Sequence, residues 1–217
     1  MNTVAVIDYG MGNLRSVAKA LEHVDPGIRV HVTDNPDLIR SADRIIFPGQ
    51  GAIGTAMSEL KRLELEELLL HALQNKPFLG ICLGIQAMME FSEEDGGTPC
   101  LGLLPGTVRR FPEHHRDPVT KERLKVPHMG WNQVRQAVAH PLWQNIDQDS
   151  RFYFVHSYYV TTHQGTAIAG TCDYGLEFVA AAYKENMFAV QFHPEKSAQA
   201  GLSLLANFLR WNGQTQE

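Results

Sequence analysis

Gly80-Ile81-Cys82-Leu83-Gly84 sets one cysteine between two glycines. An apolar run, Pro77-Phe78-Leu79-Gly80-Ile81, leads into it, and a helical pattern from Leu83 to Phe91 leads out. A strand that turns sharply into a helix at a nucleophile needs small residues two positions to either side, because a Cβ there would strike neighbouring backbone. The turn aims the side chain at the helix start, where free N–H groups and the partial positive charge favour a thiolate. Cys82 is therefore a candidate nucleophile, and the backbone N–H of Leu83 a candidate donor to an oxyanion.

The complementary group is a base. In Gln191-Phe192-His193-Pro194-Glu195-Lys196, His193 ends an apolar strand. Positions i and i+2 of an extended segment share a face, so Glu195 can reach His193. The proline biases His193 toward extended backbone. Glu195 would hold one imidazole nitrogen and leave the other to take the thiol proton. Cys82, His193 and Glu195 thus form a candidate nucleophile, base and orienter.

A third segment, Pro48-Gly49-Gln50-Gly51, closes another strand, and its glycines allow close approach of backbone to a ligand. An amide at Gln50 or Gly51 could oppose that of Leu83 across an oxyanion. One such donor is typically worth about 3 kcal/mol in the transition state.

Other chemistries find less support. The chain has ten histidines, but no Cys-x-x-Cys or His-Glu-x-x-His, and the adjacent His114 and His115 must point apart. No catalytic metal is expected. Gly10-Met11-Gly12 begins a dinucleotide fingerprint, yet position 15 is Arg15 where the third glycine belongs, so no such cofactor is expected.

The elements that must position these groups alternate in the first half. Val4 to Asp8, Ile28 to Val32, Asp43 to Phe47 and Phe78 to Ile81 read as short apolar strands. Leu14 to Val24 and Ala52 to Gln74 read as helices, the second broken near Leu63. This predicts a three-layer α/β fold: a mostly parallel open sheet with helices on both faces, and reactive groups at the carboxyl ends of the strands. In the second half Thr107 to Phe111, Trp131 to Arg135, Arg151 to Val160, Thr166 to Cys172, Glu177 to Tyr183 and Met187 to Phe192 predict an antiparallel extension. A helix from Ser197 to Trp211 closes the chain, and Pro112 to Lys125 reads as a charged, mobile loop.

The 217 residues suffice for one domain spanning the chain. A formal net charge of -5 without a basic run argues against nucleic acid as partner. No apolar stretch approaches the ~18 residues of a membrane span, and the N-terminus lacks a charged leader. Three cysteines without regular spacing argue for a reducing, cytoplasmic setting, with Cys100 and Cys172 inert.

Together, Gly80-Ile81-Cys82-Leu83-Gly84-Ile85-Gln86 and His193-Pro194-Glu195 resemble the class I, triad-type glutamine amidotransferases, whose fold is flavodoxin-like. Asp8-Tyr9-Gly10-Met11-Gly12-Asn13-Leu14, Pro127-His128-Met129-Gly130-Trp131-Asn132 and Tyr153-Phe154-Val155-His156-Ser157-Tyr158 are similar to the glutaminase branch serving imidazole glycerol phosphate synthase. The resemblance runs from Val4 to the last helix. It implies hydrolysis of L-glutamine, with ammonia passed to a (β/α)8-barrel cyclase subunit in a heterodimer of histidine biosynthesis. Amidotransferase subunits for anthranilate, aminodeoxychorismate or pyridoxal phosphate synthesis share the class-wide motifs and stand as the alternative.

Carried over to this chain, the resemblance makes Cys82 the nucleophile and His193 its base. Gln86 and Glu94 would grip the amino-acid end of the substrate, and Gly51, His156 and Ser157 would line the same pocket. Asn13, Met129, Trp131 and Lys196 would face the cyclase, and no cofactor is implied. The family commonly has valine at Gln50 and methionine at Ile85. Gln50 lies in the oxyanion loop, whereas Ile85 should only repack.

Overall fold

The computed structural model describes residues 2–162 and 167–214. The first half forms β1 (Thr3–Ile7), α1 (Leu14–Val24), β2 (Arg29–Thr33), α2 (Pro36–Ser41), β3 (Arg44–Gly49), α3 (Ile53–Arg62), α4 (Leu65–Asn75), β4 (Phe78–Cys82) and α5 (Leu83–Ala87). Three small strands follow: β5 (Phe91–Ser92), β6 (Thr98–Pro99) and β7 (Gly106–Arg110). The remainder is β8 (His128–Gln133), β9 (Arg135–Gln136), β10 (Arg151–His156), β11 (Tyr158–Thr162), β12 (Ala167–Asp173), β13 (Glu177–Lys184), β14 (Met187–Val190) and α6 (Ala198–Arg210).

Alternation along the strands explains the layers. In β1, Val4 and Val6 join one buried cluster with Val17 and Leu21 of α1 and Leu204, Leu205 and Phe208 of α6. Ala5 and Ile7 point the other way, into a cluster with Ile39 of α2, Leu60 of α3, Leu69 of α4 and Ile85 of α5. β14 divides likewise, Phe188 and Val190 against Met187 and Ala189. A strand buried on both faces has no polar side, which is why these runs are continuously apolar. Each fully buried leucine or phenylalanine contributes about 1.5–3 kcal/mol.

The main sheet runs β2-β1-β3-β4-β14-β13-β11-β7-β5-β6, with β12 beside β13 and β9 beside β12. Strands β2, β1, β3, β4 and β14 are mutually parallel. From β13 onward the extension is antiparallel except that β5 runs parallel to β7. Parallel order places the ends of β1, β3, β4 and β14 along one edge, so the Tyr9 turn, the Gln50 loop, Cys82 and His193 converge there.

Several elements differ from expectation. The helix after Cys82 stops at Ala87 rather than Phe91, because the carbonyls of Ala87, Met88 and Met89 accept from the backbone of Leu101, Leu103, Leu104 and Gly102 instead of continuing the helix. The long helix breaks where predicted, with Glu64 left-handed at φ 55°. Helix α2 has no counterpart in the sequence reading, although Asn35 caps it by accepting from the N–H groups of Asp37 and Leu38, and Pro36 sits in its first turn.

The segment predicted as one strand from Arg151 to Val160 is two. β10 pairs with β8 in a separate two-stranded sheet, while β11 pairs with β7 in the main sheet. The break falls at Ser157, whose carbonyl accepts from Phe111 N–H. The loop from Pro112 to Lys125 is anchored: His115 is buried and its Nε2 meets the Tyr174 carbonyl. The predicted strand start at Thr166 lies outside the described residues. Among the described residues no helix is long and apolar enough to cross a membrane.

Candidate active site

Cys82 ends β4 with φ 56° and ψ −103°, a left-handed conformation that a side chain rarely adopts. Its neighbours make the turn possible. A Cβ on Gly84 would overlap the Phe47 carbonyl oxygen, and one on Gly80 would press within 2.9 Å of the Met88 methyl and 3.2 Å of the Gly84 backbone. Leu83 opens α5, so its N–H has no partner within the helix.

His193 follows β14 in extended backbone, and Glu195 lies in a 3-10 turn, Pro194–Lys196. The pair therefore meets across a turn rather than along one strand face as the spacing suggested. Nδ1 of His193 lies 2.9 Å from Oε1 of Glu195, with both side chains buried. The histidine is braced from β10: its N–H donates to the Tyr153 carbonyl at 2.9 Å, and Ser197 Oγ donates to its carbonyl at 2.6 Å. The same Oγ accepts from Tyr153 N–H at 2.9 Å.

Among the described residues the other ring nitrogen, Nε2, makes no hydrogen bond. It is the free position a base requires. Burial pulls the His193 pKa down, but the charge and proximity of Cys82, and then of Glu195, outweigh it and raise the value to about 10. A histidine so placed is readily protonated beside Cys82.

A cavity of about 420 Å³ opens on Cys82. Gln50, Gly51, Leu83, Gln86 and Glu94 line it on one side, and His156, Ser157, Tyr158 and Lys196 on the other. Gln86 donates through Nε2 to the Tyr158 carbonyl at 3.2 Å and to Gln191 Oε1 at 3.1 Å, which leaves its own Oε1 as an acceptor. Glu94 spends one carboxylate oxygen on Ile53 N–H at 2.9 Å. Burial, partly offset by that bond, lifts its pKa. The Gln86 oxygen and the remaining Glu94 oxygen are two acceptors suited to an ammonium group.

Of the sequence-predicted residues, the fold brings Cys82, Leu83, Gln50, Gly51, Gln86, Glu94, His156 and Ser157 to this cavity, with His193 and Glu195 behind Cys82. Lys196, expected at a partner surface, also lines the cavity. Met129 and Trp131 project from one side of β8 and are 61% and 43% exposed. Asn13 precedes α1, where its Oδ1 accepts from Ser16 Oγ. Cys172 is buried, and burial pushes its thiol pKa far up; Cys100, half-buried, is raised by burial to about 11.

Sequence reasoning missed three contributors. Gln191 opens the His193 motif and Ser197 follows it, but neither has a signature that marks a role of its own. Tyr9 lies in a recognised motif, but only the fold shows its hydroxyl fully buried, unpartnered and packed over Gly49. Burial first, and the charge of Cys82 second, raise the Tyr9 pKa beyond its ordinary range.

The glutamine amidotransferase class-I family matches residues 5–211. The HisH subunit of imidazole glycerol phosphate synthase from Nitrosococcus oceani is 57% identical over 98% of this chain and 99% of that protein. This chain belongs to the class I glutamine amidotransferases, in the HisH branch. The HisH subunit from Acinetobacter baylyi is 56% identical over 98% of this amidotransferase and 100% of the relative. A solved glutamine amidotransferase structure superimposes with a TM-score of 0.70 at 16% identity, covering 95% of this chain and 97% of that one. That likeness extends the family resemblance to the fold itself. In this chain's α/β sheet Cys82 ends β4, and His193 follows the neighbouring parallel strand β14.

Proposed function

We propose that this HisH-type amidotransferase hydrolyses L-glutamine to L-glutamate and ammonia through Cys82, His193 and Glu195. The observation that carries the reading is a cavity that joins a strained cysteine to two acceptors for an ammonium, with a histidine behind the cysteine. The Cys82 thiolate attacks the side-chain amide carbon of glutamine. The oxyanion that forms is stabilised by the Leu83 N–H and by an amide at Gln50 or Gly51. His193, protonated, gives its proton to the leaving nitrogen, and ammonia departs from a thioester. Neutral His193 then takes a proton from water, hydroxide adds to the thioester, and glutamate leaves as the thiolate reforms. Glu195 holds the imidazole and stabilises its charged form.

Glu94 and Gln86 receive the α-ammonium of the substrate, so an amide without that charge reacts poorly. Ammonia is passed to a (β/α)8-barrel cyclase subunit, which uses it to form imidazole glycerol phosphate and an aminoimidazole carboxamide ribotide in histidine biosynthesis. The exposed pair Met129 and Trp131, with Asn13, supports a partner-facing surface, since aromatic and methionine side chains suit an interface centre. Lys196 bridges cavity and interface.

Glutamate release from glutamine, measured with and without the cyclase and its ligand, tests the proposal. Release should depend on Cys82 and rise when the cyclase is bound. Hydrolysis surviving Cys82→Ala would remove the catalytic assignment, and equal rates with and without the partner would remove activation.

A further inference from the structure

Behind the cavity wall runs a hydrogen-bonded chain in which every proton position is fixed by its neighbours. The Tyr158 carbonyl can only accept. It faces His156 Nδ1 at 2.7 Å, so His156 carries its proton there and presents Nε2 as a lone pair. That lone pair lies 2.9 Å from His128 Nδ1, which must therefore donate. His128 Nε2 then accepts from Asn132 Nδ2 at 3.3 Å, and the second hydrogen of that amide goes to the Asp173 carbonyl at 2.8 Å. Both imidazoles are neutral, consistent with burial, which brings His128 to about 4 and His156 to about 3.

The same carbonyl orients the other arm. Gln86 must turn its Nε2 toward Tyr158, and its second hydrogen goes to Gln191 Oε1 at 3.1 Å. With its oxygen thus committed, fully buried Gln191 points Nε2 at the sulfur of Cys82, 3.8 Å away. A flipped Gln191 amide would set donor against donor at Gln86 and oxygen against the thiolate. The backbone of Gln191 is fixed by its N–H bond to the Ala180 carbonyl at 2.8 Å.

We propose that Gln191 supports the nucleophile directly: its side-chain amide, aimed by Gln86 and the Tyr158 carbonyl, donates to the Cys82 sulfur and stabilises it as thiolate. The inference rests on the glutaminase reading of Cys82. The donor assists twice, by enlarging the thiolate fraction at rest and by easing departure of sulfur from the second tetrahedral intermediate. A merely space-filling residue would need only the volume of glutamine, not its amide.

The test is the pH profile of Cys82 alkylation by iodoacetamide in the full chain, followed by mass spectrometry of the Cys82 peptide. Gln191→Met keeps length and removes the donor. It should raise the midpoint by about one pH unit and, at pH below both midpoints, slow alkylation roughly tenfold. Gln191→Glu keeps shape and adds negative charge, so its midpoint should rise further. Thermal unfolding verifies that each variant is folded. An unmoved midpoint in folded Gln191→Met overturns the proposal, as does a lower midpoint in Gln191→Glu. Should neither variant fold, the side-chain amide protons of Gln191 in the ¹⁵N-labelled wild type decide: they should titrate with the alkylation midpoint of Cys82, and independence of the two overturns the assignment. Because alkylation needs no glutamine, failure of the glutaminase reading would show separately, as hydrolysis that persists in Cys82→Ala.

Discussion

The elbow that carries Cys82 and the cradle that carries His193 hold their residues by opposite means. The elbow is steric: Gly80, Cys82 and Gly84 lie within five residues, and the left-handed cysteine stays in place because its neighbours leave no room for side chains. The cradle is polar: Ser197 Oγ bridges His193 and Tyr153, and Glu195 fixes the ring. A steric device needs particular sizes at particular spacings and tolerates no added atom. A hydrogen-bonded one loses strength in steps. Strain at Cys82 and adjustable bonds at His193 suit the roles proposed for them, since a base must exchange protons while a nucleophile must stay aimed.

Substitutions sharpen this contrast. The largest effect is expected from Gly84→Ala, whose Cβ overlaps backbone that cannot move aside. Thermal unfolding should show a loss of about 3 kcal/mol or more, and glutamine hydrolysis should vanish. An unchanged melting temperature would break the steric account. Ser197→Ala removes two hydrogen bonds from the cradle and should cost about 1–3 kcal/mol. Hydrolysis should be reduced but retained, and complete loss would show the cradle to be as intolerant as the elbow.

Next comes the electrostatic link between the two sites. His193, raised to about 10 from an ordinary value of 6.5, contributes stability that is fully present below about 6.5 and is lost as pH rises through about 10. Cys82→Ser removes the leading cause of that rise. The imidazole midpoint, followed by NMR, should then fall, and the alkaline loss of stability should shrink with it. A midpoint unmoved in Cys82→Ser would assign the shift to Glu195 instead.

His128 and His156 give the opposite sign. Their folded values of about 4 and about 3 lie below the ordinary 6.5, so the unfolded chain takes up protons first as pH falls. Urea midpoints should decline between pH 6.5 and pH 5, above the range in which carboxylates titrate. The smallest effect on folding is expected at Trp131. Its exposed ring should be replaceable by alanine within about 0.5 kcal/mol of wild-type stability, while affinity for the cyclase, measured by calorimetry, should drop.

The same contrast explains what the sequence made legible. The elbow is local, and Gly80 to Gly84 announced it. The parallel strands were visible as apolar runs because both of their faces are buried. The His193–Glu195 pair was found from spacing, although a 3-10 turn rather than strand geometry joins it. Ser197, Gln191 and the His128–His156 pair were not legible as a unit, because their partners come from β10, β8 and β11 and meet only through topology. The split at Ser157 was hidden for a similar reason: apolar alternation continues through it, and only the change of partner strand from β8 to β7 reveals two elements.

The strand order has a consequence for synthesis. β14 is inserted between β4 and β13, yet only α6 follows it along the chain. A chain emerging from the ribosome N-terminus first completes the cysteine turn long before Met187–Val190 is available to pair with β4. Until then β4 presents an unpaired apolar edge, the kind of surface that invites association with other nascent chains. Cys82 meanwhile lacks its neighbour His193. A truncated product ending before residue 187 is therefore sticky, and the proposed Cys82–His193–Glu195 site is complete only after the last strand has been made.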